Sequence, residues 1–139
     1  MADEYTTLKA YIKTQLTAIT GLKYVYGYEK GDLAGYPACT IVGFSVASPL
    51  ETTSENLRAY TFKIRVFQEI NEDSRGAEDA ETVIDNLVDT IITKFDNDYH
   101  LGDNCEMSLV AGTLGWIDRE LSMRVIDIDL ICQKLVTVS

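Results

Sequence analysis

The chain has 139 residues, 46% hydrophobic and 24% charged, which is the size and balance of one globular domain and excludes wholesale disorder. Twelve basic residues stand against 22 acidic ones, for a formal net charge of −10. A surface that acidic repels phosphate backbones and argues against direct binding of DNA or RNA.

Residues 4–19 carry Leu8, Ile12, Leu16 and Ile19 at spacings of four, four and three, with Tyr5 a turn earlier. This stripe predicts an amphipathic helix that stops at Gly21. LKYVYGY (22–28) predicts a short strand, and Tyr24, Tyr26, Tyr28 and Tyr36 gather around an N-terminal hairpin. EKGDLAGYP (29–37) is loop material. ACTIVGFSVA (38–47) is an apolar strand rich in β-branched residues, and the polar run 48–56, with Pro49, Glu51 and Glu55, is a connection.

The strand 57–69 alternates sharply. Tyr60, Phe62, Ile64 and Val66 fall on one face; Thr61, Lys63 and Arg65 fall on the other. After the turn 70–76 comes the clearest element, a helix over 77–95 in which Val83, Ile84, Leu87, Val88, Ile91, Ile92 and Phe95 recur at three and four. Acidic residues crowd its first turns and Lys94 sits near its end, as the helix dipole favours. Two strands close the chain. One, over 107–117, is interrupted by Gly112 and Gly115; the other, within 122–138, sets Ile126, Ile128, Leu130 and Cys132 on one face and Asp127 and Asp129 on the other. The order α-β-β-β-α-β-β predicts a single α+β domain spanning 1–139. Its sheet is mainly antiparallel, with four to five strands, and two helices pack on one face.

Few residues invite chemistry. Cys39, Cys105 and Cys132 are widely spaced, odd in number and without a CxxC, so they read as small apolar residues in a reducing compartment rather than disulfides or a zinc site. The loop Asp96, Asn97, Asp98, Gly102, Asp103, Glu106 has the composition of a calcium loop, but His100 is fifth, the glycine seventh and Met107 stands where the bidentate glutamate belongs. His100 is the only histidine, with no nucleophile motif around it, and the glycines form neither a P-loop nor a dinucleotide fingerprint. The expectation is no enzyme, no metal and no cofactor. The N-terminus MADEYTTLKAYI lacks a basic segment followed by an apolar one, and no run approaches the roughly 18 apolar residues that span a bilayer, so a cytoplasmic protein without membrane contact is expected.

Charge patterning supplies the candidates for interaction. Asp127 and Asp129 point the same way on one strand and Lys63 and Arg65 on another, so they are either cross-strand partners within the sheet or complementary patches between subunits. Glu81, Asp85 and Asp89 form an i, i+4 acidic stripe on the second helix. It is either a solvated face or one that meets a basic partner or lines an acidic channel.

An N-terminal helix, a hairpin with a long polar connection, an aromatic-rich strand (YTFKIRVF), an acidic amphipathic helix (AEDAETVIDNLVDTIITKF) and a closing pair of strands ending RVIDIDLIC together resemble the tail terminator, or tail completion, proteins of long-tailed bacteriophages. The resemblance lies in element order and texture along nearly the whole chain. It implies a non-enzymatic structural virion protein, a homo-hexameric ring at the neck end of the tail. Such a ring stops polymerisation of the tail tube and joins it to the head connector, and DNA passes through without specific binding. Tail tube protein and head connector protein are then its partners, with assembly in the host cytoplasm. The resemblance assigns no individual residue; charge patterning and the polar connection make Lys63, Arg65, Asp127, Asp129, Pro49, Glu51 and Glu55 the candidate subunit-interface residues of such a ring. Glu81, Asp85 and Asp89 are a candidate lumen or partner face. The alternative is a small α+β module that binds a protein or a ligand without catalysis; a ligand site would be a closed, largely apolar pocket.

Overall fold

The computed structural model describes residues 4–28, 35, 37–47, 55–69, 77–118 and 123–137. Its elements are α1 (Glu4–Thr17), β1 (Tyr24–Tyr26), β2 (Ala38–Ala47), β3 (Glu55–Glu69), α2 (Ala77–Asn97), β4 (Met107–Asp118) and β5 (Met123–Thr137). They form the expected α+β fold in the expected order. The five strands lie in one sheet, in the order β1-β2-β3-β5-β4.

The helix stripes do what their spacing predicts. Leu8, Ile12 and Leu16 of α1 are fully buried, as are Ile84 and Ile91 of α2, with Leu87 and Phe95 nearly so. At 1.5–3 kcal/mol per large apolar side chain, the four from α2 alone contribute on the order of 10 kcal/mol before chain entropy is charged against them. Gly21, at φ 101°, ends the α1 region in a left-handed conformation open to glycine.

Between β3 and β5 the register places Tyr60, Phe62, Ile64 and Val66 opposite Cys132, Leu130, Ile128 and Ile126. These eight side chains are all buried and form one core with those of both helices. Both helices therefore cover the same face of the sheet. Tyr5 on α1 lies with its ring 5.4 Å from that of Phe62. Tyr11 donates a 2.6 Å hydrogen bond to Asp98, tying α1 to the loop after α2.

The N-terminal hairpin is not formed. β1 runs parallel to β2, with Tyr24, Val25 and Tyr26 opposite Ala38, Cys39 and Thr40, and the Lys23 amide donates to the Pro37 carbonyl at 2.9 Å. Side-chain alternation is the same for either strand direction, so the sequence pattern is blind to this difference. The other three pairings are antiparallel. β2 shifts register between Gly43 and Ser45, and β4 between Val110 and Gly112. The latter is the irregularity its glycines imply.

Candidate assembly surface

The sheet face turned away from the helices carries the charged residues singled out by the sequence. Pleating and register set out its rows. Leu114, Asp127, Arg65 and Thr40 stand side by side across β4, β5, β3 and β2. In the next row come Gly112, Asp129, Lys63 and Val42. Beyond that, Leu109 lies beside Ile131 and Met107 beside Gln133.

Lys63 and Arg65 thus meet Asp129 and Asp127 directly across the strand pair, within one chain. Arg65 grips Asp127 with two hydrogen bonds, Nε to Oδ1 at 2.7 Å and Nη2 to Oδ2 at 3.1 Å. Lys63 leans toward the same carboxylate, Nζ to Oδ2 at 3.5 Å, rather than toward its register partner. The Asp127 side chain is 6% exposed, against 28% for Arg65 and 33% for Lys63. The carboxylate is therefore sunk and its two cations sit at the water boundary. The Arg65 guanidinium also stacks over Trp116 at 5.2 Å from the ring centroid. Arg124 fixes that tryptophan's strand by donating to the Trp116 carbonyl at 3.2 Å. Asp129 keeps one buried oxygen, Oδ1, without a hydrogen-bond partner among the described residues.

Of the other candidates, Asp85 and Asp89 are exposed on α2, as a solvated or partner-facing stripe requires. The Glu81 side chain, Pro49 and Glu51 lie outside the described residues. Glu55 pairs with Thr137 at the far end of β3. Asp89, Thr90, Thr93 and Lys94 of α2 line a groove of about 560 Å³ with Ala18, Ile19 and Thr20. It is open to solvent, unlike the enclosed pocket a ligand module calls for. His100 packs against Tyr99 with the rings tilted by 42° and their centroids 4.1 Å apart. Asp98 spends both oxygens within its own neighbourhood, on Tyr11 and on the Gly102 amide.

The feature that charge reasoning missed is apolar. Met107, Leu109 and Leu114 on β4 are 52%, 58% and 67% exposed. At the opposite side of the sheet Tyr24, Tyr28 and Val46 are exposed as well. Large apolar side chains normally leave water when they can, and here two groups of them remain at the two edges of one sheet. The available signal was that β4 has no ionisable side chain from Met107 to Ile117.

No protein-family model matches the sequence, and no curated protein matches it either. Among solved structures the chain is similar to one in the structure titled "Virion of native gene transfer agent (GTA) particle", with a TM-score of 0.60 at 16% sequence identity. The likeness covers 96% of this chain and 98% of that one. At that identity it is the fold that is shared, from end to end.

Proposed function

We propose that the protein is a structural component of a phage-like virion. Within the virion, we assign it to a ring of copies at the neck end of the tail tube, where it ends tube polymerisation and joins the tail to the head connector. The observation that carries the reading is the end-to-end fold likeness to a chain of a virion particle. The element order and texture that resemble tail terminator proteins supply the finer role. The net charge of −10 suits a channel through which duplex DNA must slide without sticking. Asp85 and Asp89, with Glu81 on the same stripe, are the residues proposed to face that channel or a basic partner. The connection holding Pro49 and Glu51, which runs into β3 at Glu55, is the segment proposed to reach a neighbouring copy, and the charged rows of Lys63, Arg65, Asp127 and Asp129 are proposed to border the contact.

Particle imaging and sedimentation of the purified chain, alone and with tail tubes, test the reading. A ring of six copies of the 15.5 kDa chain has a mass of roughly 93 kDa. Rings in solution, or rings only on tube ends, support it. A chain that stays monomeric and leaves tube ends bare ends it.

A further inference from the structure

Protective charge in this sheet is distributed the wrong way round for a domain that stays alone. Exposed edge strands usually carry Lys, Glu or Pro to block pairing with another chain. Here the inner strands hold the charge: Arg58, Lys63 and Arg65 on β3, and Arg124, Asp127, Asp129 and Lys134 on β5. Neither β2, ACTIVGFSVA, nor β4 from Met107 to Ile117 has a single Asp, Glu, Lys, Arg or Pro.

β4 is the outermost strand on one side. On the other side β1 covers β2 only at Ala38, Cys39 and Thr40, so among the described residues β2 has no partner strand there from Ile41 to Ala47. Both open stretches are flanked by exposed apolar side chains, Leu109 and Leu114 on one, Val46 on the other. Among the described residues neither edge stretch is paired within its own chain.

We propose that copies of this chain join sheet to sheet, with β4 of one copy pairing with the Ile41–Ala47 stretch of β2 in the next. This rests on the reading of the protein as a self-assembling virion component and names the surfaces it uses. Strand direction allows it. β2, β3, β5 and β4 alternate in direction through three antiparallel pairings. A rotation about an axis along the strands therefore sets β4 of one copy antiparallel to β2 of the next and continues the alternation. The contact is heterologous, and such contacts close into rings when the rotation permits. A two-fold β4–β4 contact would leave Val46 and Tyr28 in water; head-to-tail joining covers both edges of every copy. The charge-free strands remove the like-charge and desolvation penalties that an interface of this kind otherwise meets.

Cross-linking decides the matter. Val46→Cys chains are mixed with chains carrying Val110→Cys or Thr113→Cys, β4 positions on the same face of the sheet as Val46, and oxidised with diamide, with the wild-type chain and its three buried cysteines as background. Covalent dimers from a mixture but not from either variant alone support the proposal. Dimers from a β4 variant alone mean a two-fold contact and overturn it. Leu109→Lys and Val46→Lys, both at exposed positions, are expected to raise the concentration needed for assembly at least about tenfold while leaving the melting temperature near that of wild type. If wild-type rings are seen and these variants assemble as well as wild type, the edge pairing is wrong and the ring reading stands. If cross-linking gives open filaments in place of rings, the edge pairing stands and the ring reading falls. A chain that neither assembles nor cross-links overturns both.

Discussion

Arg65 and Asp127 stand opposite each other in register on β3 and β5, and the arginine holds both oxygens of a carboxylate that is almost out of water. Fork-on-fork geometry makes this the strongest kind of side-chain ion pair, and the planar guanidinium leaves its face free to lie on Trp116. The basic strip of an acidic protein thus has its first partner inside its own sheet.

Removing one member of the pair strands the other. Losing a partner from a fully buried pair costs roughly 3–5 kcal/mol. Arg65 is more than a quarter exposed and Lys63 also reaches Asp127, so Arg65→Ala is expected to cost about 2 kcal/mol in urea unfolding. Arg65→Ala with Asp127→Ala should cost less than the sum of the two single changes. Reversal of Lys63 and Arg65 to glutamate is expected to lower stability first. If folding is unchanged and only association is lost, the pair's place within the sheet counts for nothing.

How much of this was legible in the sequence depends on what periodicity encodes. Tyr60, Phe62, Ile64 and Val66 alternate, and Ile84, Leu87, Ile91 and Phe95 recur at helical spacing, so β3 and α2 and their buried faces were readable. That Lys63 and Arg65 face Asp129 and Asp127 was one of two alternatives the alternation offered, and the register of β3 and β5 makes them cross-strand neighbours, with Lys63 reaching Asp127. Periodicity says nothing about who lies next to whom at the rim. The parallel run of β1 and the outermost place of β4 were therefore invisible. The exposure of Leu109 and Leu114 was equally hidden, because an apolar strand carries no mark of which side of it lacks a neighbour.

Tyr11 supplies a pH-dependent term. Its hydroxyl donates to Asp98, and that hydrogen bond, followed by burial and the nearby negative charge, pushes its pKa up from 10.0 to about 12. The neutral phenol is the form the fold prefers. Its contribution is complete below the unfolded pKa of 10.0 and disappears as pH rises through about 12. Tyr11→Phe is expected to cost about 1 kcal/mol at neutral pH. The difference from wild type in denaturant unfolding should close between those two pH values, and a difference that stays open above them removes the Asp98 bond as its source.

Gly43 is a packing position. A Cβ built there would run into the ring of Tyr5, which packs on Phe62 and Tyr60 over the same stretch of sheet. Gly43→Ala must displace that ring and is expected to cost about 1–3 kcal/mol. The test is non-additivity: with Tyr5→Ala already in place, Gly43→Ala should be nearly neutral in thermal unfolding. Equal costs in both backgrounds would mean the glycine is needed for its backbone and not for the space.

The three thiols should separate by reactivity. Burial pushes the Cys39 thiol up to about 12, and it should stay inert. The Cys105 thiol donates to the Tyr99 carbonyl at 3.8 Å; the neighbouring Cys132 thiol favours the Cys105 thiolate, and the same contact with burial pushes Cys132 up. In native protein at mildly alkaline pH, a disulfide reagent is expected to label Cys105 first, slowly because the residue is 5% exposed, and to reach Cys39 and Cys132 only on unfolding. Cys132→Ala should then slow labelling at Cys105, since it removes the donor that favours the thiolate. Peptide mass spectrometry after short pulses reads both results, and a Cys105 rate unchanged by Cys132→Ala would show that access alone sets the order.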